Sequence, residues 1–84
     1  PVQVLKIDRS FISNIGRDER DSNITRGIIS LARNLNLRVL AEGVETKHQI
    51  EFLREEGCDE IQGYWYSPPL SAADFFRKYA QDEQ

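Results

Sequence analysis

Apolar and polar positions alternate between two periods along this chain, short runs of β-formers being followed by segments with a helical repeat. Val2-Gln3-Val4-Leu5-Lys6-Ile7-Asp8 is a run of β-formers ending in charge, and its apolar character suits a strand buried on both faces. Lys6 and Asp8 fall on one side of it, because strand side chains alternate. Asn14 to Asp21 holds Gly16 and several charges and reads as a loop. Asp21 or Ser22 then caps a helix in which Ile24, Ile28, Leu31 and Leu35 recur at i, i+4, i+7 and i+11, a stripe expected to face a sheet. Leu37 to Ala41 forms a second strand. Thr46-Lys47-His48-Gln49 has the capping-box form, so the next helix is expected to start there and to run to about Glu56. Its Ile50 and Leu53, with Phe52 beside them, would face the sheet, and Gly57 suits the left-handed residue that ends a helix. A third strand centres on Ile61-Gln62-Gly63-Tyr64. Ser67-Pro68-Pro69-Leu70 turns the chain, Ser71 opens a last helix with Phe75, Phe76 and Tyr79, and the polar tail after Ala80 is expected to fray.

The order is β-α-β-α-β-α, which predicts an α/β fold of consecutive βα units with parallel strands and covering helices. In such arrays the carboxyl ends of the strands form a rim where side chains from separate segments meet one ligand. Lys6-Ile7-Asp8, Ala41 to Glu45 and Gln62-Gly63-Tyr64 stand at three such ends. Three parallel strands cannot close a barrel, and a sheet covered on one face leaves unpaired edges. The 84 residues are therefore read as the excerpt of a larger barrel. Pro1 fits an excised piece, and equally a processed initiator methionine.

Composition narrows the function classes. A net charge of −3, with Lys and Arg scattered among acids, argues against a surface that coats a nucleic acid polymer. No stretch reaches the ~20 apolar residues of a membrane span, so no membrane contact is expected from this segment. The single cysteine, Cys58, cannot form an internal disulfide, which fits a reducing, cytoplasmic setting, with any anchor lying elsewhere in a parent protein.

Each rim residue has a structural and a chemical reading. Lys6, an ammonium at the end of an apolar strand, either pairs with Asp8 or another acid or meets a phosphate. Glu42 either accepts backbone hydrogen bonds or serves as a base or cation ligand, with Gly43 permitting close backbone approach. Glu45 precedes a helix start whose positive end attracts it, and it ranks as support. Gln62 can recognise a base edge, hold a neighbouring carboxylate, or be satisfied by backbone. Tyr64, Trp65 and Tyr66 read mostly as core. His48 has no second histidine or cysteine spaced for zinc, and Cys58 has no activating partner. A nucleophile elbow, a phosphate-cradling glycine loop and a dinucleotide fingerprint are all missing, which leaves metal-assisted chemistry on a barrel rim.

Three blocks carry a family resemblance. Val4 to Ile12 (Val-Leu-Lys-Ile-Asp-Arg-Ser-Phe-Ile), Leu40 to Thr46 (Leu-Ala-Glu-Gly-Val-Glu-Thr), and Gly57 to Tyr64 continuing to Ser67-Pro68-Pro69-Leu70 resemble the last signature blocks of the EAL domain, in order and spacing. The resemblance implies a modified TIM barrel that hydrolyses the bacterial second messenger cyclic di-GMP to linear pGpG, of which residues 1–84 would be the C-terminal part. It implies that Glu42 binds the metal pair, Mg²⁺ or Mn²⁺, or its bridging water. Lys6 would contact that water and the scissile phosphate, with Asp8, Glu45 and Gln62 supporting the site. Trp65 and Pro68 depart from the family pattern. The other metal ligands of the family, borne on its first five strands, are missing from these residues, so the isolated chain is expected to be inactive. The alternative is an inactive EAL-like domain serving as cyclic di-GMP receptor or protein-interaction module. Self-association through exposed sheet edges, or through an EAL–EAL contact, is the remaining expected partnership.

Overall fold

The computed structural model describes residues 3–63 and 68–80. The expectations for Tyr64, Trp65, Tyr66 and the tail after Ala80 lie outside these residues. In chain order the elements are β1 (Val4–Ile7), α1 (Arg9–Ser13), α2 (Glu19–Asn34), β2 (Arg38–Val44), α3 (Lys47–Glu56), β3 (Glu60–Gly63), β4 (Leu70–Ser71) and α4 (Ala72–Phe75). A wider, π-helical turn over Phe76–Ala80 continues α4. The four strands form one sheet in the order β1-β2-β3-β4. β1, β2 and β3 are parallel, and the two-residue β4 runs antiparallel to β3. The expected α/β architecture is thus present, as an open sheet with the helices packed on one face.

The core lies between that face and the helices. Ile7, Val39, Ala41, Val44 and Ile61 of the strands meet Ile12, Ile29, Ala32, Ile50, Leu53 and Phe75 of the helices in one buried cluster. α3 follows its expected design. Thr46 Oγ1 accepts the Gln49 backbone N–H at 3.1 Å, and the Gln49 side chain accepts the Thr46 N–H at 3.1 Å. Gly57 closes the helix at φ 88°, a conformation that carries no Cβ penalty for glycine. Ile50 and Leu53 are buried and Phe52 is half-buried.

Four expectations are corrected. The chain leaves β1 through a short helix, α1, because the Asp8 carboxylate accepts the Ser10 backbone N–H and nucleates a turn where the sequence pattern gave only the end of a strand. α2 begins at Glu19, capped by Asp18, whose carboxylate accepts the N–H groups of Arg20 and Asp21. Ser22 instead turns inward, its hydroxyl accepting the Gly16 N–H at 3.2 Å. β1 is covered on one face only, and Val4 is 45 % exposed, because no helix among the described residues packs on its opposite face.

The stripe on α2 is the largest correction. Ile24 is 39 % exposed, and Leu31 and Leu35 are each 59 % exposed. The sheet is instead met by Thr25, Ile29 and Ala32, about 100° round the helix axis, with Ser22 at the same side of the first turn. The larger apolar residues flank the contact, and Ile28, Leu31 and Leu35 line a groove of about 310 Å³ beside β1, with Leu5, Phe11 and Leu37.

Candidate functional site

Register decides which rim residues share a face. Lys6 lies opposite Leu40, and Leu40 opposite Glu60. One step on, Ile7, Ala41 and Ile61 lie side by side, and all three are buried in the helix-facing core. Alternation then turns Lys6, and the residues after Ala41 and Ile61, to the opposite face. Those residues are Glu42 and Gln62. Lys6, Glu42 and Gln62 therefore occupy one face of three neighbouring parallel strands, with about 4.8 Å between adjacent backbones. Lys6 is exposed, Glu42 and Gln62 are half-buried, and the face they share is the one that no helix among the described residues covers.

β2 is irregular at this point. Ala41 pairs with Ile61 and Val44 with Gly63, so three steps on β2 match two on β3. The extra residue is a β-bulge, and Gly43 takes it up at φ 76°, in the left-handed region where a side chain is strained. The bulge returns Val44 to the core, fully buried, although simple alternation from Ala41 would have placed it on the face of Glu42. It also ends the strand with Glu45 at the rim, where Asp8, Arg9, Ser10, Ser13, Gly43 and Glu45 surround a hollow of about 230 Å³.

Asp8 and Glu45 line the rim hollow, whereas Lys6 stands two residues back along β1 from the level of Glu42 and Gln62. Asp8 is committed to α1: its carboxylate accepts the Ser10 N–H at 3.0 Å and the Ser10 hydroxyl at 2.7 Å. The structural pairing of Lys6 with Asp8 is not formed, and Lys6 has no ion pair among the described residues. The Ser10 hydroxyl, then its backbone N–H, hold the Asp8 carboxyl below its ordinary 3.8, against a smaller opposing effect of desolvation. A depressed folded value means that the cap's stabilisation is present above the unfolded value and is lost as pH falls through the folded one. A carbon-detected titration is expected to place the Asp8 midpoint below 3.8, and Ser10→Ala to move it up towards that value. An unchanged midpoint in the variant would refute the assignment.

Two connections that sequence reasoning did not supply hold the rim together. The Gln49 carboxamide accepts the Glu45 N–H at 2.7 Å and donates to the Ile12 carbonyl at 3.1 Å, tying the turn after β2 to α1. Its capping role is legible from the Thr-x-x-Gln spacing, whereas its reach to Ile12 depends on tertiary packing. The second is Arg9, whose stem lies over Gly43. No local signal marks it.

His48 is exposed, as expected of a surface role. Cys58 is buried, with Sγ donating to the Glu60 carbonyl at 3.2 Å, and desolvation pushes its thiol up to about 12, so it is inert at neutral pH. Among the described residues no group of three or more His, Cys, Asp or Glu side chains is placed to hold a metal ion. Mg²⁺ takes about six oxygen ligands, and the described residues do not gather that many donors in one place. No helix among the described residues is long and apolar enough to cross a membrane.

Comparison with known proteins places this geometry. The EAL domain family model matches residues 1–69. The cyclic di-GMP phosphodiesterase NbdA of Pseudomonas aeruginosa is 48 % identical over 98 % of the chain, and the bifunctional diguanylate cyclase/cyclic di-GMP phosphodiesterase MucR of the same organism is 42 % identical over 95 %. The chain spans 11 % and 12 % of those proteins' lengths. Among solved structures, the PaMucR phosphodiesterase in complex with c-di-GMP superposes with a TM-score of 0.73 at 44 % identity, covering 89 % of this chain and 30 % of that one. The EAL domain of Mycobacterium smegmatis DcpA gives 0.71 at 38 % identity, covering 96 % and 36 %. With the order of the motif blocks, the parallel sheet and the family match in agreement, the chain belongs to the EAL domain family.

Proposed function

We propose that residues 1–84 form the C-terminal part of one TIM-like EAL barrel that hydrolyses cyclic di-GMP to linear pGpG in the bacterial cytoplasm. The observation that carries this reading is the register of the three parallel strands, which sets Lys6, Glu42 and Gln62 on one face. In the proposed reaction water adds to phosphorus, one P–O ester bond breaks, and a phosphomonoester and a hydroxyl result. Lys6 stabilises the negative charge that develops on the phosphoryl oxygens. Glu42 contributes one carboxylate to a divalent site whose other donors lie outside residues 1–84, and Gln62, across from it on β3, holds its orientation or a guanine edge by hydrogen bonds. Asp8 and Glu45 support the rim. A bound Mg²⁺ or Mn²⁺ pair would supply an acidified water and neutralise charge on the leaving oxygen.

The test compares the 84-residue chain with a complete EAL barrel that carries it, each incubated with cyclic di-GMP and Mg²⁺ or Mn²⁺ and assayed for pGpG. The barrel is expected to turn over and the chain alone to be inactive, because the latter brings one carboxylate to a site that needs about six oxygens per ion. Metal-dependent hydrolysis by the chain alone would overturn the ligand count. A barrel that binds cyclic di-GMP without cleaving it would make the protein a receptor. The open β1 edge also gives the chain a route to pairing with a second copy, which light scattering over a concentration series would detect.

A further inference from the structure

Gly43 does more than relieve backbone strain. A Cβ built on it would collide with the Arg9 Cβ and lie 3.2 and 3.3 Å from the Arg9 Cδ and Cγ. The first three carbons of the Arg9 side chain thus run across the notch that glycine leaves in β2. Arg9 is the first residue of α1, held at the rim by the Asp8 cap behind it and by the Gln49 bond to Ile12 ahead of it. A β-bulge is a local option of the chain, and slipping out of it by one residue would bring the apolar Val44 to the face of Glu42. A stem packed over Gly43 opposes that slip, since the notch is closed from outside while Val44 fills the core from within.

We infer that Arg9 is a positioning residue for Glu42: its aliphatic stem, seated over Gly43, locks the bulge that fixes the direction of the Glu42 carboxylate. The inference rests on the proposed catalytic role of that face, and its structural half can be read separately. The contact with Gly43 is made by the carbons of the side chain, and the two variants below separate those carbons from the guanidinium.

The experiment uses a complete EAL barrel carrying this chain and compares Arg9→Ala, which removes the stem beyond Cβ, with Arg9→Met, which keeps a stem of similar length without the guanidinium. Amide hydrogen exchange at Val44 reports opening of the bulge. Arg9→Ala is expected to speed that exchange about tenfold and to lower kcat about tenfold, with KM for cyclic di-GMP within about twofold, because orientation of a reacting group is felt in the transition state and not in binding. Arg9→Met is expected to stay within about threefold of the parent in both readouts. Equal losses in the two variants would assign the effect to the guanidinium and overturn the lock. So would an Arg9→Ala variant with parental exchange and kcat. If the parent barrel cleaves no cyclic di-GMP, the proposed function fails, and Val44 exchange in the two variants still decides whether Arg9 holds the bulge.

Discussion

Replacing Glu42 by glutamine in a complete EAL barrel carrying residues 1–84 is expected to lower hydrolysis of cyclic di-GMP at least about a hundredfold, while leaving the melting temperature within a few degrees. The two side chains have the same size and branching, and Glu42 is half-buried at the end of a strand whose packing depends on Val39, Ala41 and Val44. What glutamine removes is the negative charge and one strong acceptor. Glu45→Gln, at the exposed rim hollow, is expected to cost less than about tenfold, as befits a supporting position. Pairing the two variants separates a charge needed for reaction from one that merely improves the local field. Parental turnover in Glu42→Gln would remove this carboxylate from the mechanism.

The largest effect on stability is expected at Phe75. Its ring is fully buried and lies 4.6 Å, centroid to centroid, from that of Tyr79. It joins α4 to the cluster formed by Ile50, Leu53 and Ile61. Truncation to alanine removes that buried ring and leaves a cavity, for which about 3–5 kcal/mol is usual. A domain of this length has in total roughly 4–13 kcal/mol, so Phe75→Ala takes at least about a quarter of the margin, and the urea midpoint is expected to fall by more than about 1 M. Leu31→Ala serves as contrast. The regular stripe on α2 marks Leu31 as core, yet it is 59 % exposed, and its truncation is expected to cost about 0.5 kcal/mol or less. Similar losses at the two positions would contradict the packing described here.

This pair of residues also shows where the sequence is legible and where it is not. The βα order, the Thr46 capping box and the Gly57 stop follow from local chemistry, and each is written in a few adjacent residues, whereas the shared face of Lys6, Glu42 and Gln62 needs the register of three strands. The orientation of α2 is not so written, because a helix with apolar residues on two adjoining faces can present either, and here the face of Thr25, Ile29 and Ala32 is the buried one. α1 escaped notice for a different reason. Five residues are too few to show a period, and only the Asp8 carboxylate, read as a partner for Lys6, betrays the turn. The bulge at Gly43 is likewise invisible to a reading in strict alternation, which would have misplaced Val44.

The sheet is unequal at its two sides. β3 is flanked by a strand of only two residues, running the other way and leading at once into α4, whereas β1 offers four residues of open backbone next to an apolar groove. β1 is thus the side at which an added parallel strand would find both an unpaired ladder and, over Leu31 and Leu35, an apolar seat for its helix.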